Sequence, residues 1–537
     1  RVWHTDALLV GSSVQPLESV VEDRGVCRNA YASAFSSYLR CPHQVQGSWS
    51  KGSAFTLLIV STALGAAGEL AIRSLIERAP LASSLAQAFK AKGFTLALVG
   101  GPVRDAIIGR LGNDLDFTTN AHPLETKKIL QVWAENVWDT GIEFGTVAGK
   151  RGDTTVEVTT YRTESYDPDS RKPEVEYGTS IHGDLSRRDF TVNSMALELT
   201  GDAPEFIDPF NGLQDLAARV LRTPGRPGDS FNDDPLRMMR AARFASQLDF
   251  EISPEVITSM KDLAHRISII SAERVRDEFT KMLMSKNPRT GITILVDTGL
   301  ADLVLPEIPK LRLEVDEHHH HKDVYEHSIT VLEQAIAHED RLGGPNLVIR
   351  LAALLHDIGK PKTRAFIEGG GVSFHHHEVV GARLSKKRLQ ALRFDNETID
   401  AVELLTTLHL RFHGYGEGEW TDSAVRRYVR DAGEYLTHLH VLTRADCTTR
   451  NKAKAARLSA TYDSLEARIA VLMEQEELSK IRPDLDGQQV MELLNLKPSR
   501  EVGQAMDFLM ELRLDQGSIG EEAAKAELLK WWASKSL

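Results

Sequence analysis

The feature that most constrains the fold is the segment 100–117, GGPVRDAIIGRLGNDLDF. An apolar run, residues 95–99, comes directly before it and predicts a buried strand. Pro102 suits the first turn of a helix, because a proline there loses no intrahelical hydrogen bond. We therefore expect a strand, a glycine turn, a short helix and a second strand, which together open a compact α/β domain.

The same segment combines a turn suited to phosphate with two carboxylates. Gly100 and Gly101 lack side chains, so their backbone N–H groups can approach a phosphate closely. Asp114 and Asp116 are two residues apart in the expected second strand and would point to the same face. Divalent metals in phosphoryl transfer take oxygen ligands and bridge to substrate phosphates. The pattern indicates metal-dependent phosphoryl transfer.

A third carboxylate is expected from a neighbouring strand. Residues 156–161, VEVTTY, are rich in β-branched side chains and predict a strand that contains Glu157. Glu157 is our candidate for the third catalytic carboxylate, and the alternative is a strand residue that merely faces solvent. Asp153 is a competitor, although its position resembles a turn.

Length and composition limit the class of protein. A chain of 537 residues is too long for one core, and 42% hydrophobic with 26% charged residues is ordinary for a soluble protein. The net charge of −12 argues against indiscriminate coating of nucleic acid but permits local basic patches. Three cysteines form no disulfide framework, which favours a cytoplasmic location. The apolar run 54–68 is too short to span a bilayer, so we expect no membrane partner.

The clearest break in the chain is the segment 223–228, TPGRPG. Helical and strand patterns alternate before it, and the chain after it is almost wholly helical. Residues 167–177, rich in proline and charge, predict a loop. We expect an N-terminal extension without assigned function at 1–69 and an α/β head with a small mixed sheet at 70–222. A helical neck at 223–313, a helical metal-binding domain at 314–480 and a helical tail at 481–537 would follow.

Residues 187–193, RRDFTVN, supply groups that could bind a nucleotide. Arg187 and Arg188 can meet triphosphate oxygens with bidentate geometry. Asp189 and Asn193 could form hydrogen bonds with a ribose hydroxyl. The alternative is a surface charge cluster.

Residues 233–244, DDPLRMMRAARF, form a second unusual segment. Arg237, Arg240 and Arg243 recur every three residues and would share one helical face. Like charges at this spacing destabilise an isolated helix, and no carboxylate is interleaved between them. We therefore expect an anionic group to lie against this face.

Together these motifs resemble the nucleotidyltransferase superfamily that includes bacterial tRNA CCA-adding enzymes and poly(A) polymerases. The resemblance covers roughly residues 70–537 and implies an α/β nucleotidyltransferase head followed by all-α neck, HD and tail domains. It implies that Gly101, Arg104 and Arg188 cradle the triphosphate. Residues 187–193 match the family's RRDxTxN motif, which binds the nucleotide and selects ribose, at every fixed position.

The neck segment resembles the base-reading motif Glu-Asp-x-x-Arg of the second class of CCA-adding enzymes. By this resemblance Asp234 and Arg237 select cytosine or adenine, while Arg240 and Arg243 contact the triphosphate. Asp233 stands where the family usually has Glu. Residues 271–278, SAERVRDE, resemble a later family motif that supports the neck, and we expect a structural role for them.

A second metal site is expected in the third helical unit. The ordered set H…HD…D, with HDIGK intact, resembles the HD phosphohydrolase superfamily, which implies a divalent metal of unspecified identity. The ligands in chain order are His327, His356, Asp357 and Asp446. His377 and His409 fall where some members place ligands for a second metal, and their role stays open here. The tract 318–321, HHHH, is not counted as a site.

The resemblance implies template-independent addition of CMP, CMP and AMP to the 3′ end of tRNA, with CTP and ATP as substrates. Mg²⁺ at Asp114 and Asp116 would activate the tRNA 3′ hydroxyl, and the HD domain would hydrolyse phosphate esters. One alternative is a poly(A) polymerase on the same scaffold. Another is an HD phosphohydrolase whose head only binds RNA. No protein partner is inferred.

Overall fold

The computed structural model describes residues 80–165, 174–178, 180–312, 323–367, 372–416, 420–449, 451–476 and 482–535. The chain divides into two compact units, Arg1–Ala71 and Ile72–Leu537, and all described residues belong to the second. The predicted N-terminal extension and the tract 318–321 therefore lie outside the described residues.

The head is built on a mixed β-sheet. Its strands are β1 Leu96–Val99, β2 Asp114–Thr119, β3 Asn136–Trp138, β4 Thr146–Arg151, β5 Thr154–Thr160, β6 Arg162–Ser165, β7 Glu174–Tyr177, β8 Ala196–Glu198 and β9 Glu205–Ile207. Seven of them form one sheet of order β3-β4-β5-β2-β1-β8-β9. Strands β2 and β5 pair in parallel, and every other neighbouring pair in this sheet is antiparallel.

Both faces of the sheet are covered at its centre. All four residues of β1 are buried, because Ala97 and Val99 pack with Leu185 on one face while the other face is closed by helices. The helices of the head are α1 Pro80–Lys90, α2 Gly101–Ile107, α3 Pro123–Trp133, α4 Ile181–Ser186 and α5 Gly212–Ala218. The expected strand–turn–helix–strand opening is confirmed, with Pro102 in the first turn of α2.

The expectation of a loop over residues 167–177 is wrong at its C-terminal end. Strand β7 pairs antiparallel with β6, in the register Arg162↔Tyr177 and Ser165↔Glu174. Val175 and Tyr177 supply the strand propensity that the neighbouring prolines and charges masked.

The remainder of the described chain is helical apart from two short strand pairs, as predicted. The neck contains α6 Pro227–Asp233, α7 Leu236–Leu248, α8 Pro254–Leu263, α9 Ala272–Leu283, α10 Pro288–Asp297 and α11 Leu300–Val304, with β10 Val220–Leu221 beside β11 Glu251–Ile252. The third helical unit contains α12 Val324–Ala337, α13 Leu347–Leu355, α14 Lys360–Thr363, β12 Ala365–Phe366, β13 Val372–Ser373, α15 His377–Ala391, α16 Asn396–Leu408, α17 Asp422–Ala432, α18 Leu436–Asp446 and α19 Lys452–Glu476. The tail contains α20 Gly487–Leu494, α21 Arg500–Gln516 and α22 Glu521–Lys535, which enclose a small apolar core of their own.

Arginines join the neck to the third helical unit. Buried Arg350 on α13 donates to the backbone carbonyls of Leu283 and Ser285 at the end of α9, at 2.8 and 2.7 Å, while it pairs with Glu339. Arg388 on α15 pairs with Glu307 of the neck. These charge-assisted contacts fix the two helical parts against each other.

Among the described residues, no helix combines the length and the apolar character that crossing a bilayer requires.

Candidate functional site

Three carboxylates share one face of the head sheet. Asp114 and Asp116 alternate with buried Leu115 along β2, so both point to the exposed face. Strand β5 is aligned so that Glu157 lies directly opposite Asp116. Directly opposed residues on neighbouring strands project their side chains together. Asp153, the competing candidate, lies in the turn between β4 and β5.

The charge of Asp116 is perturbed by its neighbours. Solvent reaches Asp116, yet the protein around it displaces much of the bulk water. This burial, together with the charges of Glu157 and Asp114, raises the pKa of Asp116 to about 6, against the opposing charges of Arg188 and Arg240. A divalent cation would relieve the mutual repulsion of the three carboxylates. The donor chemistry therefore fits a metal with oxygen ligands.

Gly100 provides space for an arginine. Its φ of 74° lies in the left-handed region, and a Cβ there would lie 2.8 Å from Nη1 of Arg188. The N–H of Gly100 donates to the carbonyl of Met195 at 3.2 Å, so this N–H is already engaged. The approach of the Gly101 backbone to a phosphate stays a prediction.

A buried polar chain links the motifs of the head to the neck. Arg104 on α2 donates to the amide oxygen of Asn193, and Nδ2 of Asn193 donates to Oδ1 of Asp189 at 3.0 Å. Oδ2 of Asp189 accepts from Nε and Nη2 of Arg240 at 2.8 and 2.5 Å. Burial alone would raise the pKa of Asp189, but Arg240 and Asn193 outweigh it and lower that pKa to about 2. Asp189 and Asn193 thus form a hydrogen bond with each other, whereas the sequence led us to expect that both would bind a ribose hydroxyl.

The two motif arginines are oriented by a carboxylate that sequence reasoning missed. Buried Asp184 pairs with Arg187 at 2.6 Å and with Arg188 at 3.2 Å. The spacings of three and four residues along one helical turn are the signal that could have identified it. Because its side chain is buried, Asp184 orients the two arginines from inside the protein.

A cavity of about 620 Å³ lies between the head and the neck. Its volume falls within the range of small-molecule sites. The motif residues in its wall are Arg187, Arg188, Asp189, Asp234, Arg237 and Arg240. Arg188 and Arg240 also act on the charge of Asp116, so the cavity lies beside the carboxylate face.

The expected base-reading pair faces this cavity. Asp234 accepts the N–H of Leu236 at 3.1 Å and a hydrogen bond from Arg274 at 2.9 Å. Arg237 donates to Oγ of Ser230 at 2.8 Å and to the carbonyl of Arg187 at 2.6 Å. Both side chains are therefore held in place before any ligand binds.

Arg243 does not line the cavity. It pairs with Glu278 of α9, and its guanidinium lies 4.1 Å from the centre of the Phe244 ring. Glu278 and Asp189 are the anionic groups that the arginine face of α7 was expected to meet. The lining of the cavity therefore does not support the predicted contact between Arg243 and a triphosphate. Its pairing with Glu278 fits the structural role expected for residues 271–278.

Ten further residues line the cavity; Asp233, Pro235, Leu236 and Arg274 belong to motifs already identified in the sequence, and the others were not anticipated. The ten are Phe144, Arg162, Asn232, Asp233, Pro235, Leu236, Arg266, Ile269, Ile270 and Arg274. Phe144 comes from a 3-10 turn of the head, and Ile269 from a 3-10 turn of the neck. Their sequence contexts carry no motif signal, since only the approach of head and neck makes them neighbours.

The predicted HD ligands converge from several helices of the third unit. His327 lies on α12, His356 and Asp357 follow α13, and Asp446 ends α18. Nε2 of His327 is 3.0 Å from Oδ1 of Asp446, and Nε2 of His356 is 3.2 Å from Oδ2 of Asp357. His377 and His409, whose role the sequence left open, complete the cluster: with Asp357 they form a second group of ligand atoms within 4.8 Å of one another.

The histidines are oriented for ligation by their backbone contacts. Nδ1 of His356, His377 and His409 contacts the carbonyl of Ala353, Phe374 and Thr406 at 2.9, 2.8 and 2.7 Å respectively. A ring whose Nδ1–H donates to a carbonyl presents the Nε2 lone pair on its other side. Among the described residues, the buried Nε2 atoms of His377 and His409 have no hydrogen-bond partner.

These unpartnered nitrogens make the site fit a divalent metal. Burial, followed by the charge of His356, lowers the pKa of His409 to about 3, so this imidazole is neutral and able to coordinate. Converging imidazoles and carboxylates match the ligand set of transition metals, and Nζ of Lys360, which donates to Oδ2 of Asp357, borders the cluster. The Asp357 carboxylate faces both groups, since its Oδ2 lies 3.2 Å from Nε2 of His356 and its Oδ1 lies 3.2 Å from Nε2 of His377.

Three protein families match separate parts of the chain. The Poly A polymerase head domain matches residues 96–222, the probable RNA and SrmB-binding site of polymerase A matches 249–311, and the HD domain matches 324–470. The first range includes the carboxylate face and the third includes all six clustered ligands.

Curated relatives agree with these matches. The A-adding tRNA nucleotidyltransferase of Deinococcus radiodurans is 34% identical over 365 residues, 66% of this chain and 80% of the relative. The CCA-adding enzyme of Enterococcus faecalis is 42% identical over 218 residues, 40% of this chain and 52% of the relative. The chain thus spans about half the length of the CCA-adding relatives it matches.

Solved structures of low identity share the fold. The Bacillus stearothermophilus CCA-adding enzyme in complex with CTP has a TM-score of 0.62 at 23% identity, covering 85% of this chain and 98% of that one. The Thermotoga maritima CCA-adding enzyme complexed with tRNA has a TM-score of 0.54 at 18% identity, covering 86% and 98%. With the Deinococcus relative matched over most of its length, the chain belongs to the family of tRNA nucleotidyltransferases that have a poly(A) polymerase head and an HD domain.

Proposed function

We propose that this protein adds CMP, CMP and AMP to the 3′ end of tRNA without a nucleic-acid template, using CTP and ATP. The observation that carries the proposal is that Asp234 and Arg237 line the same cavity as Arg187 and Arg188. A carboxylate accepts the amino group that cytosine and adenine share, and a guanidinium donates to the ring nitrogen beside it. The protein itself would therefore choose the base.

The reaction would take place where the cavity meets the carboxylate face. The 3′ oxygen of the tRNA forms a bond to the α-phosphorus, the bond between the α- and β-phosphates breaks, and pyrophosphate leaves. Arg188 and Arg240 line the cavity and would stabilise the departing negative charge. Asp114, Asp116 and Glu157 would hold Mg²⁺, which supplies electrophilic activation of the phosphate and acidifies the attacking hydroxyl.

Incorporation of single nucleotides tests the proposal. Transcripts of one tRNA ending before the CCA, after the first C, and after CC are incubated with each nucleoside triphosphate separately. We expect CMP on the first two and AMP on the third, and Asp114→Ala should abolish all three while Asp153→Ala, in the nearby turn, leaves them intact.

Other patterns of incorporation would identify other activities. Addition of AMP without CMP, and without processive extension, would match the A-adding activity named for the Deinococcus relative. Processive addition of AMP to any end would identify a poly(A) polymerase. If the protein hydrolyses phosphate esters but incorporates no nucleotide, we would conclude that the head only binds RNA. Each of these outcomes would refute CCA addition.

A second activity is supported by the six-ligand cluster of the HD domain. We propose that it hydrolyses phosphate esters with one or two divalent ions, whose identity is to be measured. The supporting observation is the pair of buried, unpartnered Nε2 atoms of His377 and His409. Hydrolysis of bis-p-nitrophenyl phosphate by the metal-loaded chain should disappear in His356→Ala and persist in Asp114→Ala. Because tRNA is the proposed substrate of the head, we propose a cytoplasmic location.

A further inference from the structure

The Asp234 carboxylate is held from two sides. Its Oδ1 accepts the backbone N–H of Leu236 on the same chain segment, at 3.1 Å. Its Oδ2 accepts Nη2 of Arg274, which comes from α9, forty residues further along the chain, at 2.9 Å. Arg274 therefore supplies a tertiary contact to this carboxylate, and it also forms part of the cavity wall.

The contact is poorly placed to stabilise the fold. The side chain of Arg274 is 45% exposed and that of Asp234 is 22% exposed. Ion pairs of this exposure add only about 0–1 kcal/mol to stability, because water and salt screen them. By contrast Arg243, on the neighbouring helix, is buried against Glu278 and packs on Phe244. Arg274 is thus more exposed than Arg243, and it lines the cavity whereas Arg243 does not.

We propose that Arg274 is a positioning residue for base selection, which rests on the proposed reading of the base by Asp234. By donating to Oδ2, Arg274 fixes the rotation of the carboxylate, which presents only acceptor oxygens to the cavity. The amino groups of cytosine and adenine satisfy such an acceptor. The carbonyl groups of uracil and guanine, at the corresponding positions, would face it with lone pairs.

Loss of the Arg274 contact should therefore weaken discrimination more than catalysis. In Arg274→Gln the carboxylate can rotate away from this orientation, so the carbonyl oxygen of a wrong base meets less repulsion from it. The hydrogen bond that loses its selectivity is the one between the Asp234 carboxylate and the base, and one hydrogen bond to a charged group corresponds to roughly a 10- to 100-fold effect. We expect the ratio of kcat/KM for CTP over UTP, and for ATP over GTP, to fall by about that factor.

The experiment measures kcat and KM for all four nucleoside triphosphates on the tRNA transcripts described above. Arg274→Gln is compared with Arg274→Lys, which keeps a cationic donor and should restore most of the selectivity. Arg266→Gln removes a charge from the same cavity wall, where Arg266 donates to the carbonyl of Asn232, so it should leave both ratios unchanged. Arg276→Gln, on the same helix but outside the cavity wall, controls for damage to α9.

The outcomes separate this proposal from the proposed function. A wild-type protein that incorporates neither C nor A refutes the proposed function itself. A wild-type protein that is selective, with an Arg274→Gln variant equally selective, refutes the positioning role alone. A lowered thermal midpoint in Arg274→Gln with equal loss for all four nucleotides, and no rescue by lysine, would make Arg274 structural. Reduced selectivity at an unchanged midpoint supports the proposal.

Discussion

Asp189 makes the most quantitative prediction, because its charge joins the head to the neck. Asp189→Asn keeps the size of the side chain and removes one acceptor. Oδ2 receives two N–H groups from Arg240, and Oδ1 receives N–H groups from Asn193 and Phe190. An amide has one oxygen, so whichever way it turns, its NH₂ group faces another donor.

The magnitude follows from the lowered pKa. A fall from 3.8 to about 2 in a buried group corresponds to about 2 kcal/mol of stability at pH 7. Because the folded-state pKa lies below the unfolded value, this contribution is complete above about pH 4 and is lost only as pH falls toward 2. The difference between wild type and Asp189→Asn should therefore be constant between about pH 5 and pH 8.

Hydrogen exchange measures the effect where it acts. The domains of a long chain need not unfold together, so the protection of amides in 187–198 reports the local free energy better than one midpoint does. We expect about 2 kcal/mol less protection in Asp189→Asn and no change in Asp139→Asn, whose partner Lys127 lies at the surface. A loss below about 0.5 kcal/mol, or one that varies across about pH 5–8, would refute the reasoning.

Three further predictions concern the two metal sites and the glycine turn. Nucleotidyl transfer should decline at acidic pH as protons compete with the cation for Asp116, whose pKa is raised to about 6 before a cation binds. Because this pKa is raised, Asp116→Asn should also increase the thermal midpoint of the metal-free protein while abolishing transfer. Gly100→Ala should lose nucleotide affinity, measured by isothermal titration, because the new Cβ displaces Arg188. His409→Ala should bind one divalent ion fewer per chain by elemental analysis, with hydrolysis of phosphate esters reduced and nucleotidyl transfer unchanged.

Matched variants make these outcomes decisive. Gly109 has the same φ of 74° as Gly100, but a Cβ added there would meet no atom within 4 Å, so Gly109→Ala carries the backbone strain without the steric contact. Equal affinity losses in both glycine variants would contradict the role given to Arg188. For the HD cluster, His375→Ala changes an exposed histidine two residues before His377 and should keep the full metal content.

Sequence reasoning succeeded where local pattern decides geometry. The two-residue spacing of Asp114 and Asp116 fixes their common face in any strand, and the Glu157 strand could be recognised from its β-branched residues. It was less informative for side chains with several available partners. Arg243 looked like part of a phosphate-binding face, but the partner that decides its direction, Glu278, lies 35 residues away on another helix.

The sequence by itself determined the candidate chemistry of this chain: an acidic strand pair, a nucleotide motif, a proposed base-reading pair and a proposed HD ligand set. Only the tertiary structure decided how these groups are used. It aligned Glu157 with Asp116, turned Asp189 and Asn193 toward each other, brought Arg274 to Asp234, and added His377 and His409 to the HD ligands. The physical reason is that spacing along a helix or strand sets direction within that element, whereas hydrogen-bond partners and charge neighbours come from the packing of distant elements.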